Sequence, residues 1–450
     1  MQSHANAVGT QRIEMPVPWT TDDSSRGRQP HCLATWILLG LVLACSGSVF
    51  YVHLTYQLPA HLLLFSYVTV FLFSQRRHIS SRMWSAWRKS QMLWAGGLTT
   101  LFLFAPGDPG IIQYLYIFAR IYAASAVVVL YAGWPRRLYY DLYVLLQFIL
   151  YHSLAGVVLA PFVMSSLTIF TDPIFTFHGL FFYVPTQWSA ISIGPISLIR
   201  NSGIFWEAGV LQFYLNLLLF LSLFIHKSKR TSTLAVLGIL TTWSTTGLLI
   251  MSMQFAWWYI SYRKRHLIFV PVLLCVGLPF FMLLSNNINE KIYGDRSMSY
   301  RIRLADTEAM LNVIKERPFI GIGVDFLTLG EWIEDYRSIN DVPQSVLEDR
   351  TGNSNSLLVL FASLGVVLAT VFLYLMHRQK LLAPQNTIIF AVLILTLLSE
   401  PLCFTVLFLM FPASGLISLF TKREPARVRP VLLVRRIVKA STAAPGVTSV

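Results

Sequence analysis

Long apolar runs separated by short polar connections dominate the chain. Runs at about 33–56, 59–75, 91–106, 111–133, 140–165, 203–225, 266–284 and 356–376 are each long enough to cross a bilayer as a helix. Two further stretches carry internal breaks, residues 233–261 near Trp243-Ser-Thr-Thr-Gly247 and residues 386–420 at Ser399-Glu-Pro401. The pattern predicts an all-α polytopic membrane protein. Every backbone polar group in hydrocarbon must be satisfied within its own helix, and short broken helices are tolerated where they are buried in protein or line a cavity.

Composition agrees, with 55% hydrophobic residues, 12% charged residues and a mean hydropathy of +0.59. A soluble protein of this size could not hide so much apolar surface around one core. The four cysteines, Cys32, Cys45, Cys275 and Cys403, fall in or beside apolar runs and read as small core residues, not a disulfide framework. A polar stretch of about thirty residues precedes the first run, which argues against a cleaved signal peptide.

The net charge of +14 is unevenly spread. Residues 285–355 hold twelve of the 21 acidic residues and eight basic ones, a net of −4, which leaves +18 on the remainder. That excess sits beside apolar runs, at Arg76, Arg77, Arg82, Arg88 and Lys89, at Arg136 and Arg137, at Lys227, Lys229 and Arg230, at Tyr262-Arg-Lys-Arg-His266 and along 422–436. The positive-inside rule accounts for it without nucleic acid. Splitting both broken stretches keeps every basic cluster inside and the acidic loop outside. The result is twelve crossings with both termini cytoplasmic. The chain then divides into an N-terminal tail (1–31), nine helices with an outer loop at 166–202 (32–284), a large outer loop (285–355), three further helices (356–420) and a basic tail expected to be disordered (421–450).

Two outward segments are long enough to carry function. The first, 166–202, is aromatic and ends in Arg200. The second is the acidic loop, where 300–316 places Ile302, Ala305, Ala309, Met310, Val313 and Ile314 at amphipathic-helix spacing. Pro318 stops that helix, and Gly321 and Gly323 follow as a turn. Such a helix could roof a cavity between the spans.

Several chemistries lack their residues. The chain has no GxxxxGK[ST] loop for ATP, no Cys/His cluster at metal-ligand spacing and no Asp-x-Asp pair in the outer loops. No cofactor or metal is expected. The stretch Arg200-Asn-Ser-Gly-Ile-Phe-Trp-Glu207 puts Arg200 at the outer face and Glu207 about two turns on, just inside the next span. Ionisable residues at such depth are costly and mark functional sites; the plainer alternative is a loop-fixing charge pair or a snorkelling arginine. Arg301 and Arg303, beside Tyr300 at the start of the loop helix, are the second candidate, since guanidinium groups bind pyrophosphate oxygens in bidentate fashion. A solvated helix face is the alternative. Arg120, mid-span in the fourth helix, either pairs with a carboxylate such as Glu207 or contacts a ligand. His152 and His178 could be catalytic, although a lone histidine among aromatic residues is more often structural. The aromatic residues Phe177, Phe182, Tyr183, Trp188, Trp332 and Tyr336 could stack on sugars or pack the loops.

At these residues the sequence resembles the O-antigen polymerase and ligase superfamily (Wzy and WaaL types). The Arg200 to Glu207 stretch resembles the family's Arg…Gly-x-Phe-x-Glu-Pro signature, with Ala208 where proline is usual. Arg301-Ile-Arg303…Ala309-Met-Leu…Pro318-Phe-Ile-Gly-Ile-Gly-Val-Asp-Phe326 resembles its Arg…Ala-Leu…Pro-Leu-Gly-x-Gly-x-x-Phe, and Asn355-Ser-Leu-Leu…Leu364-Gly365 its Asn-x-x-Leu…Gly. Order, spacing and topology agree over roughly 195–420, while the N-terminal third matches only in hydropathy. The ligase branch has a histidine just before that asparagine, where this chain has Ser354, which favours the polymerase branch.

The resemblance implies a bacterial inner-membrane glycosyltransferase that uses an undecaprenyl-pyrophosphate-linked oligosaccharide, without metal, on the periplasmic side, in company with membrane lipid, a chain-length regulator and a flippase. Taken with the residues singled out above, it suggests catalytic roles for Arg200, Glu207 and Arg303 and substrate binding by Arg301, Arg120, Tyr300 and Asn355. A ligase joining finished glycan to lipid A core or protein is the rival within the family. A transporter is the rival outside it, although no repeated halves surround the breaks at Ser244 and Glu400.

Overall fold

A computed structural model describes residues 32–52, 54–106, 110–163, 168–171, 176–179, 183, 190–193, 196–263, 297–325, 328–332, 355–382 and 385–421. The expected span at 266–284, both tails and much of the acidic loop lie outside the described residues.

Six helices form the N-terminal half: α1 (Cys32–Ala44), the short α2 (Val49–Val52), α3 (Leu54–Ser74), α4 (Ser81–Phe104), α5 (Ile111–Ala132) and α6 (Pro135–Val163). After the 166–202 loop come α7 (Ala208–Phe220), α8 (Lys229–Thr242), α9 (Thr245–Arg263), the loop helix α10 (Ser297–Glu316), α11 (Ser356–His377), α12 (Asn386–Leu397) and α13 (Val406–Thr421). Stretches of α3, α5, α6, α7 with its last turn, and α11 are long and apolar enough to cross a membrane. Their outward faces stay apolar, as at Val70, Ile112 and Phe162, each at least 71% exposed, which is stable only against lipid. The chain is an all-α polytopic membrane protein.

The core centres on α7, all thirteen of whose residues are buried. It closes in a wide turn over Leu221–Ile225, where the His226 N–H donates to the Leu221 carbonyl at 2.8 Å. Two polar residues on α7 are fully buried and joined to α9. Asn216 Nδ2 donates to the Gln212 side-chain oxygen at 3.0 Å and to the Gly247 carbonyl at 3.2 Å, and Gln254 Nε2 donates to Asn216 Oδ1 at 3.0 Å. Hydrogen bonds of this sort hold helices together where no hydrophobic force acts between them.

Both internal breaks fall where the polar residues stand. α8 ends at Thr242 with Trp243 in the left-handed conformation, φ 49°, and Ser244 Oγ accepts from the Gly247 N–H at 3.2 Å as α9 starts. The second break runs from Leu398 to Thr405, between α12 and α13. Three expected continuous helices differ. The 33–56 run breaks after Ala44, because Gly47 takes φ 106° and the following chain pairs with residues 204–206. The 203–225 run is helical only from Ala208, so Glu207 is the N-cap of α7 and not two helical turns beyond Arg200. α11 is kinked at Gly365, φ 69°.

The 166–202 loop adds what hydropathy did not suggest, two short antiparallel hairpins. Thr168–Thr171 (β1) pairs with Thr176–Gly179 (β2), and Ala190–Ile193 (β3) with Ile196–Ile199 (β4). Alternating β-branched and small residues in 190–199 suit such a ribbon.

The bundle has two distinct ends. At the basic end, the fully buried Asp141 accepts from Trp36 Nε1 at 2.8 Å, Tyr131 Oη at 3.0 Å and Arg137 Nε at 2.9 Å, tying α1, α5 and α6. His226 stacks on Tyr143 there at 4.1 Å between centroids, and burial pushes its pKa down. The opposite, loop end carries the candidate chemistry.

Candidate functional site

Three non-helical segments meet at the loop end: 45–48 between α1 and α2, 200–207 before α7, and 398–405 between α12 and α13. The Val49 N–H donates to the Ile204 carbonyl at 3.3 Å, and Ser48 bridges Phe205. Ser46 Oγ accepts from the Leu407 N–H at 3.0 Å, while the Tyr214 hydroxyl donates to the Ser46 carbonyl. Gly47 makes this crossing possible, since a Cβ there would stand 2.7 Å from Val210 Cγ1.

Arg200 and its neighbours are fixed on the end of α8. Arg200 Nε donates to the Thr242 carbonyl at 2.9 Å. Asn201 joins Thr241 twice, N–H to carbonyl at 3.0 Å and Nδ2 to Oγ1 at 2.9 Å, and its Oδ1 accepts from the Gly203 N–H at 3.1 Å. The helix C-terminus thus supplies carbonyls to a cation, the favourable sense of the helix dipole. Glu207 follows in an extended conformation, φ −144°, half-buried, and its side chain does not cap α7.

Glu400 complements that helix start from the other side. It is 4% exposed, and a Cβ on Gly209 would stand 2.5 Å from its carboxyl carbon. The first turn of α7 therefore faces two carboxylates, Glu207 in the chain and Glu400 packed against it. Anionic groups are stabilised at a helix N-terminus. Glu400 reads in the sequence as a helix break and topology marker; the signal for more was an ionisable residue inside an apolar run.

Arg120, in the middle of α5, packs against the 398–405 break and is 3% exposed. Its Nη1 donates to the Phe404 carbonyl at 3.4 Å, four residues beyond Glu400. The guanidinium carbon stands 4.1 Å from the Tyr116 ring centroid and 5.1 Å from that of Tyr51. Aromatic faces stabilise a desolvated cation. Arg120 Nε has no hydrogen-bond partner among the described residues, and neither has Nε2 of His61, whose ring packs 4.9 Å from Tyr116. These two neighbouring buried polar atoms are desolvated with no compensating hydrogen bond among the described residues. His61 went unremarked in the sequence because one histidine in an apolar helix carries no pattern.

The loop helix is amphipathic as expected: Ala309, Met310 and Val313 are at most 2% exposed and join the core. The side chains of Tyr300, Arg301 and Arg303 lie outside the described residues, although their backbone forms the first turns of α10. Asn355 caps α11, its Oδ1 accepting from the Leu358 N–H at 3.1 Å. Beyond α10 the chain docks on the α11 kink. The Ile322 N–H donates to the Ala362 carbonyl at 2.9 Å, the Gly323 N–H to the Ser363 carbonyl at 3.0 Å, and the Val366 N–H to the Pro318 carbonyl at 2.7 Å. Asp325 Oδ2 then accepts from the Gly110 N–H at 3.0 Å, which ties the loop to the start of α5.

Tyr183 is buried against Gly156 of α6, and burial raises its pKa. Trp332 packs on the core. Both act as loop packing. His152, on α6, has ring neighbours Tyr183 and Phe148, each 6.3 Å away. The side chain of His178 lies outside the described residues. Cys45 and Cys403 are buried and free.

Comparison with curated proteins gives no match. Residues 231–373 match a protein family described as O-antigen ligase. The matched region runs from α8 to the last part of α11 and takes in Tyr300, Arg301, Arg303 and Asn355, while Arg120, Arg200, Glu207 and Glu400 lie outside it. The match spans 143 of the 450 residues, and over them, within the apolar bundle, the chain is similar to membrane proteins of the O-antigen ligase family.

Proposed function

We propose that the chain is a polysaccharide polymerase of the bacterial inner membrane. It transfers glycan from an undecaprenyl-pyrophosphate donor to a lipid-linked acceptor repeat on the periplasmic side. The loop end would face the periplasm and the basic end the cytoplasm, with twelve crossings and both termini cytoplasmic.

One observation carries the reading: a buried guanidinium, Arg120, with an open Nε donor, held beside the 398–405 break. A buried donor without a partner costs about 1–3 kcal/mol, and more when charged. An anionic group bound to that Nε would recover the cost, and pyrophosphate matches guanidinium geometry. Arg200, and Arg303 with Arg301, supply further cations for the leaving group, so metal is not required. The bond between the anomeric carbon and the pyrophosphate oxygen breaks, and the acceptor hydroxyl oxygen bonds that carbon. The hydroxyl proton passes to a carboxylate, for which Glu207 is the choice, with Arg120 and Arg200 stabilising the departing charge. Tyr300 and Asn355 would contact the glycan or its diphosphate.

The polymerase reading, as against the ligase, rests on Ser354, where the ligase branch carries histidine. The matched family's description favours the ligase. The two separate on a gel of surface polysaccharide from cells lacking the gene, complemented with wild type or Arg120→Ala. Loss of the ladder with a single-repeat band retained on the lipid core supports the polymerase. Loss of both, with polymer accumulating on the carrier lipid, establishes the ligase, and an unchanged pattern defeats both.

A further inference from the structure

Two cavities follow one another along the same faces of α4 and α13. The first, about 380 Å³, lies at the basic end and is lined by Ser81, Arg82, Ser85, Ala86, Lys89 and Phe420. The second, about 230 Å³, is an apolar groove among α4, α5, α11 and α13, with Leu93, Trp94, Leu101, Phe372 and Leu416 on its walls. Lys89 and Leu93 stand one turn apart on α4, as do Phe420 and Leu416 on α13, so the charged cavity gives onto the groove along shared helix faces. From Lys89 to Leu101 α4 rises about 18 Å. That is slightly more than one leaflet of a hydrocarbon core about 30 Å thick.

The charges sit at one end only, and every wall beyond them is apolar. The first turn of α4, capped by Ser80 accepting from the Met83 N–H, adds the positive end of a helix to the same cavity. A polar partner segment would leave the groove unmatched, and an apolar one would leave Arg82 and Lys89 unmatched. An amphiphile with an anionic head and a chain one leaflet long matches both. Basic cavities between membrane helices are suited to anionic lipid head groups.

We infer that this surface binds one anionic glycerophospholipid from the leaflet at the basic end. Its phosphate sits between Arg82 and Lys89, within reach of the Ser81 and Ser85 hydroxyls, and one acyl chain lies in the groove against Trp94. The site is separate from the glycan-transfer reading and does not depend on it.

The test uses the full chain in nanodiscs containing phosphatidylglycerol or phosphatidylcholine brominated on the acyl chains, with fluorescence read as the difference between wild type and Trp94→Phe. Brominated phosphatidylglycerol is expected to quench the Trp94 component at least threefold more than brominated phosphatidylcholine. Arg82→Gln with Lys89→Gln should abolish the preference, and raising the salt concentration should weaken it. Because the quencher is on the chain, free phosphate gives no signal. Equal quenching by the two lipids in the wild type would reduce the groove to ordinary lipid contact and overturn the proposal. A preference that survives in the double variant would overturn the assignment of the head group to Arg82 and Lys89. A matching melting curve for that variant, whose two altered residues are exposed, shows that a lost preference is not a lost fold.

Discussion

Gly321 and Gly365 touch through their backbones: a Cβ on Gly321 would stand 2.6 Å from the Gly365 nitrogen, and one on Gly365 would stand 2.6 Å from the Ile320 nitrogen. Both residues hold positive φ, 72° and 69°. The segment after α10 is seated by this mutual absence of side chains, and the kink in α11 exposes the carbonyls that receive it. Alanine at either glycine should cost about 1–3 kcal/mol from backbone strain alone, with the clash in addition. Melting of the purified protein checks this, with Gly330→Ala, where nothing stands within 4 Å of the added carbon, as the control that should stay near wild type.

Arg120→Ala should lower glycan transfer by at least about a hundredfold, the scale of losing a preorganised charge-stabilising donor. Arg120→Lys should not restore it, because an ammonium cannot reproduce the planar fork between Tyr51 and Tyr116. Transfer measured in membranes with a lipid-linked oligosaccharide would decide the matter; a lysine variant at wild-type rate would reduce Arg120 to a point charge.

Gly209→Ala would drive a methyl group into the Glu400 carboxylate. It should mimic Glu400→Gln in lowering transfer, and the double variant should be little worse than either single one, since both act on one contact. Additive losses would separate the two residues.

Asp141 is fully buried and paired with Arg137 at 2.8 Å. Asp141→Asn leaves the cation with a weakened partner and should destabilise the fold by about 3–5 kcal/mol, the usual cost of breaking a buried pair. The loss should appear in the melting temperature, with the lipid-binding preference at Arg82 unchanged.

Burial holds the His226 pKa below the ordinary value of about 6.5. The folded state then binds fewer protons than the unfolded one between those two values. Its contribution to stability is complete above about pH 6.5 and is lost as pH falls toward the depressed folded value. The wild-type melting temperature should drop between pH 7.5 and pH 5.5, and His226→Phe, which keeps the ring stack on Tyr143, should drop less. Equal drops would place the titrating group elsewhere.

Hydropathy located the helices well because lipid imposes one rule along every span, and polar residues interrupt that rule visibly at Trp243-Ser244 and at Ser399-Glu400. It missed the breaks at Gly47 and Gly365, where the cause is not local polarity but another segment's backbone arriving from far along the chain. The hairpins at 168–199 escaped for a similar reason, since four-residue strands leave little periodic signal. Among candidate residues, Arg120 was legible from its depth alone. Glu400 and His61 acquire meaning only beside Gly209 and Tyr116, partners distant in sequence. The resemblance carried by Arg301, Arg303 and Asn355 falls within the matched region 231–373, so motif order was a sounder guide there than any single residue.

The Asp325 carboxylate holding the Gly110 N–H has a mechanical consequence. Gly110 is the N-cap of α5, and Arg120 rides ten residues, about 15 Å, down the same rigid rod. A tug on the loop at Asp325 is thus delivered along a stiff shaft to the buried cation, with the Asp141 cluster as the anchor at its far end.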